Sequence, residues 1–166
     1  MERTLIDIES KTSTFVDSNI FTYFLLEDRR YFNKVKAFFD GINTGEIFGF
    51  ANNIVFTETL FNFVKAEVII SENIRVKDFI KIAKLHPDII ANVDISPVLE
   101  LFNLPNFYML DLPSGAISDI KEMHSMYGLL SNDAYHLLTM KFFGITDITT
   151  NDSDFDRVDW IKVWKP

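Results

Sequence analysis

Five short apolar runs alternate with longer helical patterns along the 166 residues, and this alternation constrains the fold more than any other feature. Between the apolar runs, hydrophobic residues return at spacings of three and four, as they do on one face of a helix. Strands that alternate with helices predict a parallel sheet covered by those helices, and so an α/β sandwich. The predicted strands cover residues 14–16, 47–51, 107–110, 145–149 and 161–164.

Local signals place the ends of several predicted helices. Gly41 stands where the helical pattern of residues 31–39 needs its C-terminal cap. Ser131 and Asn132 have the side chains of an N-cap that would open a helix at Asp133. Pro97 predicts a break in the helical segment that runs from residue 88 to 104.

The sequence predicts a single domain over residues 14–166, preceded by an N-terminal extension over residues 1–13. It contains no internal repeat, no low-complexity tract and no linker rich in Pro, Gly or Ser. The absence of Cys excludes disulfides, Cys-based metal sites and thiol catalysis. We expect a cytoplasmic protein without a membrane segment, because no uncharged apolar run approaches the ~20 residues that span a bilayer.

The charge balance limits how this chain could bind nucleic acid. It carries 16 basic and 24 acidic residues, a net charge of −8. Binding over a broad surface needs Lys and Arg to neutralise phosphates, so such a surface is disfavoured, whereas contact through bound metal ions is not. The negative charge is unevenly distributed along the chain. Residues 1–84 hold 11 basic and 12 acidic residues, a net charge of −1, whereas residues 85–166 hold 5 basic and 12 acidic residues, a net charge of −7.

Five acidic residues occupy positions that a parallel sheet could bring together. Ligands of such sheets bind beyond the carboxyl ends of the strands. Asp17 follows the first predicted strand, and Asp152 and Asp154 follow the fourth. Asp133 lies in the first turn of a predicted helix, and Glu58 lies on the helix after the second strand.

Carboxylates that converge raise one another's pKa unless a cation is present. Hard divalent cations such as Mg²⁺ and Mn²⁺ prefer oxygen ligands, and they promote in-line displacement at phosphorus. Each acid alone has an ordinary structural interpretation: Asp133 complements a helix dipole, Asp17 forms a turn or cap, and Asp152 lies in a solvated loop. Only the joint pattern favours a metal site.

At these residues the sequence resembles the PIN-domain nucleases, most closely the VapC-type toxins of prokaryotic toxin–antitoxin pairs. The resemblance covers about residues 14 to 164 and depends on four segments in order. They are Phe15–Phe21 with Asp17-Ser18-Asn19, Ile54–Leu60 with Glu58, Leu130–Leu137 with Asp133-Ala134, and Ile148–Phe155 with Thr150-Asn151-Asp152-Ser153-Asp154.

The resemblance implies a three-layer α/β/α sandwich with a central, mainly parallel sheet of about five strands. It implies hydrolysis of RNA phosphodiester bonds by an endoribonuclease that acts as the toxin of a toxin–antitoxin pair. RNA substrate, a homodimer and a small antitoxin protein are the partners it suggests. The implied ligands of one or two Mg²⁺ or Mn²⁺ ions are Asp17, Glu58, Asp133 and Asp152, with Asp154 as a secondary acid and with Asn19 and Thr150 as groups that orient carboxylates or water.

Two alternatives remain open. A non-catalytic PIN-like module that binds RNA or protein would keep the fold without the chemistry, but retention of all four acids disfavours it. A phosphatase of the haloacid-dehalogenase type also begins with an Asp after a strand. That family needs a second Asp two residues later, where this sequence has Asn19.

Two histidines lie near the predicted acidic segments. His124 shares a helical face with Ile117, Ile120 and Tyr127, so we expect it in the core or in an interface. His136 follows Asp133 by three residues and could approach the acids. A carboxylate site of this kind needs no imidazole, so His136 is not predicted to act in it.

Overall fold

A five-stranded sheet, parallel in all four pairings, forms the centre of the fold. The structure is a computed structural model that describes residues 3–166. The strand order is β3-β2-β1-β4-β5, so β1 and β4 lie side by side. The strands are β1 (Ser13–Val16), β2 (Phe48–Asn52), β3 (Phe107–Leu110), β4 (Asp147–Thr149) and β5 (Lys162–Trp164).

The helices pack against this sheet in two groups. In one group α1 contacts α2 and α3, and α3 contacts α4, α5 and α6; in the other, α7 contacts α8. The predicted α/β sandwich on a parallel sheet is confirmed. Within residues 3–166 the helices are α1 (Ser18–Leu25), α2 (Phe32–Thr44), α3 (Asn53–Ser71), α4 (Phe79–Leu85), α5 (Asp88–Ala91), α6 (Ser96–Phe102), α7 (Ile120–Tyr127) and α8 (Ser131–Phe143).

A cluster of Phe rings fixes α1 against its neighbours. The Phe21 ring lies 5.3 Å from Phe39 of α2, 4.3 Å from Phe102 of α6 and 5.4 Å from Phe107 of β3, between ring centroids. All four side chains are buried. Aromatic rings of this size contribute a large buried area. The cluster therefore holds the start of α1, where Asp17 lies, in one position.

Two predicted helix boundaries are wrong. Gly41 lies inside α2, where its missing side chain admits Ile47, since a Cβ there would lie 3.2 Å from the Ile47 Cδ1. The cap is Gly45, whose φ of 77° suits glycine. The N-cap of α8 is Leu130, which has no polar side chain to accept a hydrogen bond.

The predicted break in the helical segment 88–104 is present, between α5 and α6. Pro97 lies just after the break, in the first turn of α6, where its ring is tolerated.

The residues before β1 lie against the domain. Leu5 is buried in the same core as Phe15, and its backbone N–H donates to the Lys165 carbonyl at 2.8 Å. We keep the division into an extension, residues 1–13, and a domain, residues 14–166, as a proposal; Met1 and Glu2 lie outside the described residues. Across residues 3–166, no helix is both long and apolar enough to cross a membrane.

Candidate active site

The adjacent strands β1 and β4 bring the first and last acidic segments together. Asp17 follows β1, and its backbone N–H donates to the Thr149 carbonyl at the end of β4, at 3.0 Å. Its extended backbone makes it the N-cap of α1, with Oδ1 accepting from the Ser18 N–H at 2.6 Å. Val16 and Thr149 are paired in register, so the residues after them meet at one edge of the sheet.

Two polar side chains hold the carboxylate of Asp17. Asn19 Nδ2 and Thr150 Oγ1 both donate to Asp17 Oδ2 at 2.6 Å, and Asn19 Nδ2 also lies 3.0 Å from Thr150 Oγ1. Asn19 Oδ1 accepts from the Asn151 N–H at 3.1 Å. The two residues predicted to orient carboxylates therefore contact the most buried acid of the site.

Glu58 reaches the same edge from α3. Its Oε1 accepts from Asn132 Nδ2 at 2.5 Å, and its Oε2 lies 3.9 Å from His136 Nε2. One ligand atom from each of Asp17, Glu58 and His136 lies within 4.8 Å of the other two. The side chain of Glu58 is 31% exposed, whereas that of His136 is 1% exposed. This group of three thus opens to solvent on the Glu58 side.

A second group of acids consists of Asp133, Asp152 and Asp154, whose carboxylate oxygens also lie within 4.8 Å of one another. The Asp152 N–H donates to Thr150 Oγ1 at 2.9 Å, so Thr150 contacts residues of both groups. Asp152 Oδ1 accepts from the Asp154 N–H at 2.8 Å. Asp154 forms an ion pair with Arg157.

Burial and neighbouring charges shift the pKa values of three of the acids. Burial raises the pKa of Asp17. Burial, together with the charges of Asp152, Asp17 and Asp154, raises the pKa of Asp133 to about 6 against a lowering effect of His136. The pKa of Glu58 is instead lowered, chiefly by the nearby imidazole of His136.

The donor set fits a hard divalent cation. Among residues 3–166, no Lys or Arg nitrogen lies within 4.0 Å of a carboxylate oxygen of Asp17, Glu58 or Asp133. Like charges that converge without a cation are costly. Carboxylate oxygens are the ligands that Mg²⁺ and Mn²⁺ prefer.

Comparison with known proteins identifies the family. The sequence model of the PIN domain matches residues 14–161. The chain belongs to the PIN-domain family. It is 37% identical over 151 residues to Ribonuclease VapC2 of Methanocaldococcus jannaschii. The aligned residues cover 90% of this chain and 91% of that protein. It is 26% identical over 161 residues to Ribonuclease VapC6 of the same organism, covering 94% and 99% of the two chains.

A solved structure shares the fold. It is the crystal structure of VapBC2 from Rickettsia felis bound to a DNA fragment from their promoter, with a TM-score of 0.52. The match covers 93% of this PIN-domain chain and 98% of that chain, at 14% identity. At so low an identity the likeness shows the fold alone.

Three interpretations of side chains change with the structure. His124 is exposed, and its Nδ1 lies 2.7 Å from the Leu129 carbonyl, so the prediction of a core position is wrong. His136, which was not predicted to act, contacts the acidic site. Asn132 was interpreted as part of a helix cap, yet it donates to Glu58. The spacing of Asn132 and His136 around Asp133, on one helix, is the signal that could have identified both.

Proposed function

We propose that this PIN-domain protein is a metal-dependent endoribonuclease that hydrolyses RNA phosphodiester bonds. The observation that carries the proposal is a pair of acidic groups joined by Thr150: Asp17 and Glu58 with His136 in one, and Asp133 with Asp152 and Asp154 in the other. Among residues 3–166, Asp17, Glu58 and Asp133 have no Lys or Arg partner. The proposal is also supported by two similar members of the family that are named ribonucleases. Asp152 and Asp154 add to the same acidic edge.

Asp17, Glu58, Asp133 and Asp152 would hold one or two Mg²⁺ or Mn²⁺ ions. When bound, such ions activate water and stabilise the charge that develops on phosphate oxygens. The net charge of −8 also favours a role for bound cations, because without them the protein repels a polyanion such as RNA. RNA would bind productively once the acids are neutralised.

The remaining side chains set the geometry of the acids. Asn19 and Thr150 hold Asp17 Oδ2 through two donors, so that Oδ1 and Oδ2 keep their directions. Asn132 holds Glu58 from the N-terminal turn of α8. Asp154 is 40% exposed and can accept a hydrogen bond from water that enters from solvent. Fixed donors and acceptors of this kind reduce the reorganisation needed in the transition state.

The test is cleavage of single-stranded and structured RNA by the purified protein, with and without Mn²⁺. We expect cleavage with Mn²⁺, none in EDTA, and a rate at least about 100-fold lower in the Asp17→Asn variant. Cleavage that survives EDTA, or that continues at the wild-type rate in Asp17→Asn, would overturn the proposal. Metal binding without cleavage of any RNA would instead favour a non-catalytic PIN-like binding module.

We further propose that the protein is the toxin of a toxin–antitoxin pair and acts on cytoplasmic RNA. An apolar groove of about 430 Å³ between α3 and α4 is available to a protein partner. Its lining includes Phe61 and Ile80, which are 48% and 50% exposed. We expect co-purification with the product of a short neighbouring reading frame, and loss of that complex in Ile80→Glu. Growth that is unaffected when the protein is expressed alone would argue against the toxin role.

A further inference from the structure

The imidazole of His136 is fixed on the sides that face the core. Its ring lies 5.4 Å from the Phe15 ring, between centroids, and its Nδ1 lies 3.2 Å from Asn52 Nδ2. Its Nε2 lies 3.9 Å from Glu58 Oε2, and a ring nitrogen of His136 lies within 4.8 Å of a carboxylate oxygen of Asp17. Which of these nitrogens carries hydrogen decides whether His136 donates to the acids or ligates a metal.

The orientation of the Asn52 amide answers this question. Asn52 is the last residue of β2 and the N-cap of α3, and its Oδ1 accepts from the Val55 N–H at 3.2 Å. A rotated amide would place the NH₂ group against that N–H, which is itself a donor. The cap therefore directs Nδ2, a donor, towards His136.

A second contact fixes the same orientation. Asn52 Nδ2 also lies 3.0 Å from Thr139 Oγ1, and Thr139 Oγ1 donates its hydrogen to the Tyr135 carbonyl at 2.8 Å. The Thr139 oxygen can therefore only accept from Asn52. The cap and the threonine require the same amide orientation independently of each other.

We infer that Asn52 holds His136 as the tautomer with hydrogen on Nε2, which makes His136 a positioning residue that presents an N–H group to the acids and not a metal ligand. Nδ1 accepts from Asn52, so the hydrogen of the neutral ring lies on Nε2. A nitrogen that carries hydrogen has no lone pair for a metal. The Nε2–H group instead faces Glu58 and Asp17 from within the core.

The consequence for the site rests on the proposed function. Asn132 donates to one oxygen of Glu58, and the Nε2 of His136 lies 3.9 Å from the other, so two groups on α8 set its direction. Groups that orient metal ligands in this way commonly change metal affinity by about 10- to 100-fold when they are removed. We expect His136→Leu to weaken Mg²⁺ binding by about tenfold, within that range. His136→Gln, whose amide NH₂ replaces the Nε2–H donor, should retain affinity within about threefold.

The experiment is a ¹⁵N NMR measurement of the His136 ring in the full-length protein, first without metal and then with Mg²⁺. We expect hydrogen on Nε2 and none on Nδ1 in both states. Hydrogen on Nδ1, or loss of the Nε2–H on addition of Mg²⁺, would overturn the inference. The spectrum of the metal-free protein does not depend on catalysis, so a failed nuclease assay leaves this test intact.

Two variants sharpen the measurement. Asn52→Asp keeps an oxygen for the α3 cap but replaces the donor to His136 by an acceptor, so hydrogen should appear on Nδ1. Thr139→Val is the matched control, because it changes the same buried network while the α3 cap still orients Asn52. It should leave the tautomer unchanged. An Asn52→Asp spectrum that keeps Nδ1 bare, or a tautomer that changes in Thr139→Val, would contradict the role given to Asn52.

Discussion

Asp17 and Asp147 lie at opposite ends of the same parallel sheet, and both are buried, at 6% and 8% exposure. Asp147 begins β4, where its oxygens accept from Trp164 Nε1 at 2.8 Å and from Thr146 Oγ1 at 3.1 Å. Asp17 also has its oxygens satisfied by donors. Burial and hydrogen bonding therefore do not distinguish the two aspartates.

The charged residues around them distinguish Asp17 from Asp147. The pocket of about 450 Å³ beside Asp147 is also lined by two basic residues, Arg3 and Lys162, and by one other acid, Glu9. Around Asp17, by contrast, the charged neighbours include the acids Glu58 and Asp133. A buried aspartate with its donors is structural at the amino end of the sheet. Convergence of like charges marks the carboxyl end as the candidate site.

The largest expected difference is in catalysis. Asp17→Asn should lower the rate of RNA cleavage by about 100- to 1,000-fold, the loss typical of removing one electrostatic group from an active site. Asp147→Asn should keep activity within about threefold, while losing about 1 kcal/mol of stability through a weaker hydrogen bond. Initial rates with Mn²⁺ at saturating RNA, together with urea unfolding, provide the measurement. Equal losses of activity in the two variants would remove the distinction between the two ends.

Metal should bind at the carboxyl end of the sheet, near Asp17, and thereby stabilise the folded protein. A ligand at 100 times its Kd adds about 2.7 kcal/mol to the unfolding free energy. For a chain of this size that corresponds to a rise in Tm of about 5–10 °C. Thermal unfolding with and without Mg²⁺ should show this rise in the wild type and in Asp147→Asn, but not in Asp17→Asn. A rise that persists in Asp17→Asn would place the metal elsewhere.

Removal of one acid should stabilise the metal-free protein. The pKa of Asp133 is about 6 in the folded protein, against an ordinary value of 3.8, so the folded state binds more protons between these values. The unfolding free energy of the metal-free protein therefore falls as pH rises from about 4 to 6 and stays lower above that range. Since Asp133 is half-buried, solvent screening leaves about 1–2 kcal/mol of the effect.

Asp133→Asn should recover that 1–2 kcal/mol at pH 7.5 in EDTA and flatten the pH dependence, while abolishing activity. Urea unfolding at several pH values gives the measurement. The pH dependence is the control, since a general effect of reduced negative charge would not remove the change in stability between about pH 4 and 6. Lower stability of Asp133→Asn than of the wild type at pH 7.5 would contradict the raised pKa of Asp133.

The smallest effect is expected at Asp154. Its side chain is 40% exposed and is already paired with Arg157, so its charge is partly neutralised. Exposed charges of this kind contribute about 1 kcal/mol or less, which converts to about fivefold in rate. Asp154→Asn should therefore lose about fivefold, and Asp152→Asn much more. Cleavage rates at several Mn²⁺ concentrations separate the two, and equal losses would show that Asp154 belongs with the metal ligands.

Local sequence signals predicted some elements well and others poorly. Strand β3 has its predicted bounds, Phe107–Leu110, because its apolar run is flanked on both sides by residues unsuited to a strand. The cap of α2 was misplaced by four residues, since Gly41 and Gly45 are equivalent to any local rule. Only the packing of Ile47 against Gly41 and the positive φ of Gly45 separate their roles.

The sequence by itself determined the alternation of strands and helices and the acids that follow the strands, because periodicity and strand ends are local properties. Parallel pairing then brings Asp17 and Asp152 to one edge as a general property of such sheets. The tertiary structure alone decided that Asn52 meets His136, 84 residues away, and that His136 faces Glu58. Spacing along α8 can place His136 near the acids, but hydrogen-bond direction depends on atoms that only folding brings together, so spacing cannot reveal which hydrogen bonds His136 makes.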